Sequence, residues 1–297
     1  MPAAGSEYGV IIPAYNAEAW LGEAIESVLN QTRPCSELDV VDDGSTDTTR
    51  NVVTTFGEAV RLVAQPNGGV SSARNLGAST TTASVLAFLD ADDIWEPNKM
   101  AKQMELFDIS NQIVMAHCGV TYVDAGNQEM STDNDGKSGD VYKRLLLSEP
   151  TILGGGSGIV VRREVFVEVG GFDTRLSTSA DWRFFMQVAR LGSVGFSEDL
   201  LLRYRFHTSN MHYDIDAERR DRLLIHREHA QEGVLPKRIQ RLARARSYRT
   251  LGIRYLANRR FVRGFRYLIG AVLLEPSCAL HLVSSYWSKL VSSRQAR

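Results

Sequence analysis

The chain of 297 residues predicts an α/β fold: a mixed, mostly parallel sheet flanked by helices, followed by a helical C-terminal extension. Three observations predict it. Short apolar runs of strand length alternate with helix-period segments through the first hundred residues. One of those runs, Val85 to Leu89, ends abruptly in Asp90-Ala91-Asp92-Asp93. The charge is also divided. Residues 1–217 hold 16 Lys and Arg against 30 Asp and Glu, and residues 218–297 hold 18 against 5, so a net charge of -1 conceals an acidic body and a basic tail. The domain boundary is accordingly drawn at 217/218, and the first domain falls into halves of about 1–100 and 101–217.

Val10-Ile11-Ile12 reads as a buried strand stopped by Pro13. Trp20, Leu21, Ala24, Ile25, Val28 and Leu29 then recur at helical spacing, with Glu18, Glu23 and Glu26 largely on the other side. Leu38 to Val41 is a second strand running into Asp42-Asp43-Gly44-Ser45, and a polar-faced helix follows from about Thr46 to Phe56. Val60 to Ala64 is a third strand, Pro66-Asn67-Gly68-Gly69 a turn, and about Ser71 to Ala78 a helix before the acidic strand end. Pro97 stands at a first helical position and opens a helix to about Phe107. Strand-like residues follow near Ile113–Val123, then a polar loop around Ser131–Gly139. Gly154 to Gly158 precedes Ile159-Val160-Val161 and a helix from Arg163 to Val169, and Asp181 opens another through Trp182, Phe185, Met186 and Val188. From about Glu218 the reading is helical to the end, with breaks near Pro236, Asn258 and Pro276.

Composition narrows the function. Hydrophobic residues at 43% and charged residues at 23% describe an ordinary globular protein rather than a disordered or membrane chain. Cys35, Cys118 and Cys278 lack the spacing of a disulfide framework or zinc site, which fits a reducing cytoplasm. No signal peptide is visible, and the late apolar stretch Tyr267 to Trp287 is interrupted by Glu275, Pro276 and His281. Two nucleotide-binding patterns fail. Gly136-Lys137-Ser138 lacks the first glycine of a P-loop, Ser131 standing there, and no Gly-x-Gly-x-x-Gly follows the first strand.

The remaining motifs carry chemistry. Carboxylates bunched at Asp90, Asp92 and Asp93 repel one another unless a cation joins them, and hard oxygen ligands suit Mg²⁺ or Mn²⁺. The bland alternative is an acidic turn that solubilises a strand end. Asp42 and Asp43 point to opposite faces, so one can meet a ligand while the other braces the turn; a carboxylate there could accept a uracil N–H, or cap the next helix. Arg74 and Asn75 sit early in a helix behind a glycine turn, placed to reach a phosphate or base, or to pair with a surface acid. Gly154 to Gly158 allows close backbone approach or is a flexible turn. Asp181 is a general base or a helix N-cap, and His207 a metal ligand or a structural histidine.

Together these pieces resemble the family 2 glycosyltransferases of the GT-A (Rossmann-like) fold. Val10-Ile-Ile-Pro-Ala-Tyr-Asn16 is similar to the family's opening strand, Val40-Val-Asp-Asp-Gly-Ser-Thr-Asp47 to its base-binding turn, and Asn67-Gly-Gly-Val-Ser-Ser-Ala-Arg-Asn-Leu-Gly77 to its following helix. Asp90-Ala-Asp92 resembles its DxD metal motif; Gly170-Gly171-Phe172-Asp173 and Ser179-Ala-Asp-Trp182 resemble its acceptor segment, with Ala180 where many members carry Glu. The likeness covers about residues 8–210. It implies an inverting, metal-dependent transfer from a nucleotide-sugar, a UDP-sugar foremost, in bacterial-type polysaccharide or glycoconjugate synthesis. Pro13, Ala14, Tyr15, Asp43, Arg74, Asp90 and Ala91 would bind the nucleotide-sugar, Asp92 and His207 would hold Mn²⁺ or Mg²⁺, and Asp181 would be the catalytic base.

Two rival functions remain at this level. A sugar-1-phosphate nucleotidyltransferase would also join an α/β sheet to metal carboxylates. A nucleic-acid-binding protein would explain the eleven Lys and Arg from Lys237 to Arg266 but not the acidic cluster. The acceptor is expected to be a saccharide or a lipid-linked one. The tail, residues 237–297, either packs through its apolar stripe or contacts an anionic membrane at the inner face of the cytoplasmic membrane.

Overall fold

The computed structural model describes residues 7–207, 214–232 and 235–278. They divide into two compact units: residues 7–145 with 150–207, and residues 146–149 with 214–232 and 235–278.

The first unit opens with β1 (Tyr8–Ala14), α1 (Leu21–Leu29), β2 (Glu37–Asp42), α2 (Thr49–Thr54), β3 (Arg61–Ala64), α3 (Val70–Thr80) and β4 (Val85–Phe88). This is the alternation that the sequence predicts. β1 pairs in parallel with β2 and with β4, and β2 with β3. Parallel neighbours end at the same edge of a sheet, so the segments after Ala14, Asp42 and Phe88 emerge side by side. β1 and β4 are buried along their whole length, as parallel strands covered on both faces must be. α1 turns Leu21, Ala24, Ile25 and Val28 inward.

One expectation fails here. β1 does not stop at Pro13 but runs through it to Ala14. Pro13 lies opposite Val41 of β2, while the ladder to β4 has already ended at Ile11 and Phe88. The ring therefore removes an N–H that no neighbouring strand needs.

The second half of this unit adds β5 (Ile94–Trp95), α4 (Lys99–Ile109), β6 (Ile113–Val123), β7 (Glu129–Asp133), α5 (Tyr142–Leu146), α6 (Gly155–Gly158), β8 (Val160–Arg162), α7 (Arg163–Glu168), α8 (Ala180–Val188) and β9 (Ser193–Arg205). The sheet order is β3-β2-β1-β4-β8-β6-β9-β5, with β7 pairing off β6. β8 lies antiparallel to both β4 and β6, and β9 parallel to β6, so an all-parallel first half joins a mixed second half. Three local readings change. Glu129–Asp133 is a strand where a loop was expected at its end, because its exposed polar residues carry no alternation. The glycine run closes into a helical turn, and β9 begins well before Leu201.

The core has two sides. Ile12, Leu21, Ile25, Val40, Met100 and Met104 belong to one apolar cluster. On the other side, Phe88, Phe166, Phe172 and Phe184 form an aromatic group with ring centroids 4.3 to 5.9 Å apart.

The second unit contains α9 (Ile215–Glu232), α10 (Lys237–Ala257) and α11 (Phe261–Leu274), with breaks at the expected Pro236 and Asn258. Leu251 and Tyr255 of α10 pack with Ile215, and Tyr267 of α11 stacks on Tyr255 at 5.6 Å. The helical reading of residues 279–297 lies outside the described residues. Among the described residues no helix is long and apolar enough to cross a membrane.

Two glycines test the packing. A Cβ at Gly77 of α3 would stand 2.4 Å from Ile11 Cγ2 and 3.0 Å from Val41 Cγ2, so this helix lies on the sheet only because the residue is Gly. Gly77→Val should lower unfolding free energy by about 1–3 kcal/mol. Gly22 of α1 has nothing nearer than Val52 Cγ1 at 3.9 Å, and Gly22→Ala should raise stability by up to about 1 kcal/mol. Urea unfolding of both variants checks this; equal effects would contradict the packing of α3.

Candidate active site

Arg74 of α3 is 3% exposed. Its Nη2 donates to Asp90 Oδ1 and its Nη1 to Asp181 Oδ1, each at 2.6 Å. The ring of Phe172 lies 5.0 Å from its Cζ. Burial alone would weaken the guanidinium's hold on its proton, but the charges of Asp181 and Asp90 outweigh it and move its pKa upward. The reading of Arg74 as a surface arginine with one acidic partner is thereby replaced. It is buried and bridges two.

Asp181 lies in the first turn of α8, and its carboxylate is not the N-cap; that position is Ser179. Its Oδ2 accepts the Gly156 N–H at 3.0 Å, so both carboxylate oxygens are held. A Cβ on Gly156 would fall 2.3 Å from Arg74 Nη2, which explains a glycine at the first contact between α6 and the arginine.

The acidic strand end divides its labour. Asp90 faces Arg74. Asp92 Oδ2 meets His207 Nε2 at 2.6 Å, and the imidazole stacks on Trp20 with centroids 4.3 Å apart. Asp93 is buried and accepts from the Arg205 N–H at 2.9 Å and from Ser157 Oγ, while Ser157 Oγ accepts the Asp90 N–H at 3.0 Å. Ala91 is buried between them. Burial first, then the charge of Asp90, pushes the Asp92 carboxyl above the usual range, against a smaller opposing pull from His207. Asp93 is driven well above that range by burial and then by Asp92 and Asp90. Tyr204 is raised too, by burial and then by Asp93 and Asp90. A surplus of negative potential collects here.

Among the described residues no three His, Cys, Asp or Glu converge as a metal site. Two donors do, Asp92 and His207. One carboxylate and one imidazole amid surplus negative charge fit Mn²⁺ or Mg²⁺ of the kind that completes its shell with substrate phosphates.

The neighbouring strand ends supply a second cluster. Tyr15 is exposed at the end of β1, beside Pro13 and Ala14. Asn16 bridges to the β2 turn: its N–H donates to Ser45 Oγ at 2.9 Å and its Oδ1 accepts the Thr46 N–H at 2.8 Å. Asp42 braces that turn through the Ser45 N–H at 3.1 Å. Asp43 braces as well, accepting the Gly68 and Gly69 N–H groups at 2.8 Å each and Gln65 Nε2 at 2.6 Å. Of its roughly four lone-pair directions, these use three.

A family description, glycosyl transferase family 2, matches residues 9–170. The chain belongs to glycosyltransferase family 2. An uncharacterized glycosyltransferase of Nostoc sp. is 35% identical over 218 residues, covering 68% of this chain and 66% of that protein. Another, of Rickettsia felis, is 29% identical over 204 residues, covering 67% of this chain and 34% of that one. The chain thus spans about two thirds or less of these relatives. The crystal structure of S. aureus TarS 1–349 superposes with a TM-score of 0.63 at 17% identity, covering 84% of this chain and 72% of that chain. The same fragment in complex with UDP-GlcNAc gives 0.63 at 14% identity, covering 93% and 92%. That likeness shows the GT-A fold. Family membership favours glycosyl transfer over the nucleotidyltransferase reading for residues 9–170.

The site also contains residues that sequence reasoning missed. Arg205, at the end of β9, is buried, and it donates through Nε to the Asp92 carbonyl at 2.9 Å and through Nη2 to Glu23 at 2.6 Å. A charged residue in the alternating stretch Leu201 to Phe206 was the available signal. Ser157 and Trp20 gave none. Arg74→Met would leave Asp90 and Asp181 facing each other without their cation. Because both carboxylates are partly solvated, the expected loss is about 1–3 kcal/mol rather than that of a fully buried pair. Arg74→Lys should restore only part, since an ammonium lacks the planar fork. Urea midpoints unchanged in both variants would contradict the bridge.

Proposed function

We propose that this glycosyltransferase moves a sugar from a nucleotide-sugar, a UDP-sugar foremost, to an acceptor hydroxyl, inverting the anomeric carbon. The run of contacts Asp90–Arg74–Asp181 carries the reading, because it sets an acceptor-side carboxylate beside the acidic strand end. Pro13, Ala14, Tyr15 and Asp43 receive the base, Asp90 and Ala91 the ribose and phosphate side. Support for uridine comes from S. aureus TarS, which shares the fold and is known in complex with UDP and with UDP-GlcNAc. The reaction belongs to polysaccharide or glycoconjugate synthesis in the cytoplasm.

Asp181 takes a proton from the acceptor hydroxyl as that oxygen bonds to the anomeric carbon. The bond from that carbon to the diphosphate breaks on the opposite face, and its electron pair leaves with the nucleoside diphosphate. A single displacement converts an α-linked donor into a β-glycoside. Arg74 and the Gly156 N–H hold the carboxylate in one orientation. Asp92 and His207 would hold Mn²⁺ or Mg²⁺, which when bound supplies positive charge to the departing diphosphate. Arg175 and then Arg183 hold the Asp173 carboxyl below the ordinary range, which makes it a weak base.

A second reading concerns acceptor access. Phe261, Val262, Phe265, Ile269 and Leu273 recur along one side of α11 and are 56 to 85% exposed. Arg259 and Arg266 flank them. Such a face fits an anionic lipid surface carrying a lipid-linked acceptor.

A donor screen detecting released nucleoside diphosphate across UDP-, GDP- and dTDP-sugars, with Mn²⁺ or Mg²⁺, tests the main reading. Asp181→Asn should lower turnover by about 10²–10⁴ with little change in donor affinity. Asp92→Ala should abolish transfer while keeping the fold, and excess EDTA should do the same. Full activity after either would sink the metal assignment; near-normal transfer by Asp181→Asn would sink the base. For the second reading, co-sedimentation should require anionic liposomes and fail for Phe265→Ser/Ile269→Ser. Concentration-dependent self-association of the native protein, without liposome binding, would make that face a protein contact instead.

A further inference from the structure

The second unit contains a cavity of about 590 Å³ that the proposed transfer does not use. Arg227 of α9 and Lys237, Arg241 and Arg244 of α10 line it, and among the described residues no Asp or Glu does. Several arginines elsewhere in this unit meet acids. Arg222 and Arg254 share Glu218, Arg246 meets Glu149 at 2.6 Å, and Arg260 and Arg263 share Asp216. Around the cavity four cations converge with one long ion pair among them. Arg227 and Lys237 have no carboxylate partner among the described residues. Arg241 reaches Glu275 only at 3.8 Å, and Arg244 spends its Nη2 on the Tyr248 hydroxyl at 3.0 Å.

Four cations around one cavity repel one another, and the cost falls when a polyanion enters. His226, also in the wall, reports the same field: burial first, then Arg222, His229 and Arg244, pull its pKa to about 3. It is therefore a neutral ring at physiological pH. The planar forks of Arg227, Arg241 and Arg244 suit paired phosphate oxygens, and Lys237 adds a point charge. Leu146, Leu223, Leu235 and Leu274 give the cavity an apolar side, room for hydrocarbon attached to a phosphate.

We propose that this cavity is a binding site for a phosphate-bearing polyanion of the diphosphate class, separate from the donor site and independent of the donor reading. Its ligand is either a soluble diphosphate or the phosphate head of a lipid, and the two are separable by experiment.

Hydrogen exchange of the full chain, read by mass spectrometry, locates binding peptide by peptide. Millimolar inorganic pyrophosphate should slow exchange in peptides covering 222–232 and 237–248, and raised salt should weaken the effect. Arg227 and Lys237 are exposed, so Arg227→Gln/Lys237→Gln is expected to fold, which circular dichroism verifies. It should weaken that protection about tenfold or more, while any protection near 86–95 at the donor site stays unchanged. The second arm uses phosphatidylcholine vesicles with and without phosphatidic acid. Protection at the same peptides only with phosphatidic acid, lost in the double variant, assigns a lipid phosphate; protection by pyrophosphate alone assigns a soluble one. Protection by neither probe, or equal protection in the double variant, overturns the site.

Discussion

A guanidinium buried between two carboxylates sets the terms for the residues around it. Removing such a cation from water costs several kcal/mol, and the cost is offset only when geometry and partners are both right. Arg74 meets Asp90 from β4 and Asp181 from α8, with the Phe172 ring against its face. The fork is planar and rigid, so it fixes the separation of the two carboxylates. Each surrounding choice serves that fit. Gly77 lets α3 lie close on β1, Gly156 leaves room for the guanidinium, and the Gly156 N–H takes the second oxygen of Asp181. The arginine thus joins the two halves of the first unit through one side chain.

The three strand-end acids show the same economy of charge. Asp90 is answered by a cation, Asp92 by an imidazole, and Asp93 by neutral donors from Arg205 and Ser157. Only the first is neutralised outright. The upward shifts of Asp92, Asp93 and Tyr204 all arise from burial added to neighbouring negative charge. Arg205 does not cancel that field, because its fork is turned to the Asp92 carbonyl, the Ala125 carbonyl and Glu23. Its role is to fasten β9 to the acidic turn, which brings His207 within reach of Asp92. The position of His207 therefore depends on a buried arginine two residues before it and on Trp20 from the start of α1.

Much of this was legible in the residues because parallel strands are buried on both faces and must end in polar ones. Val85 to Leu89 followed by three acids admitted little else, and β1 to β4 follow the predicted order. Contacts between distant residues were not legible. Arg74 and Asp181 are 107 positions apart, and nothing local in either segment names the other. Local rules also misled where tertiary context decided. Pro13 signals an end to a strand, yet at this position the missing N–H faces a side where the ladder is over. Asp181 reads as an N-cap, but it lies inside the first turn of α8 and its carboxylate is drawn to Arg74. Glu129–Asp133 pairs with β6 as an exposed polar strand, for which hydrophobic periodicity has no signature.

The basic tail shows a different limit. Composition established that residues 218–297 carry 18 cations against 5 acids, but not where the surplus resides. Glu218 serves two arginines and Asp216 three, so scarce acids gather in one region and leave Lys237 at the start of α10 with no carboxylate partner among the described residues. Apolar periodicity is equally silent about direction. A stripe at helical spacing ordinarily faces a core, yet α11 buries its small residues, Gly264 and Ala271, and exposes Phe265, Ile269 and Leu273. A Cβ on Gly252 of α10 would stand 3.1 Å from the Gly264 carbonyl, so the two backbones cross closely at this pair of glycines, with Tyr267 and Leu268 filling the space beside them. The inner side is thus already filled, which leaves Phe265, Ile269 and Leu273 outward, and a helix whose period reads as buried presents a second apolar stripe to its surroundings.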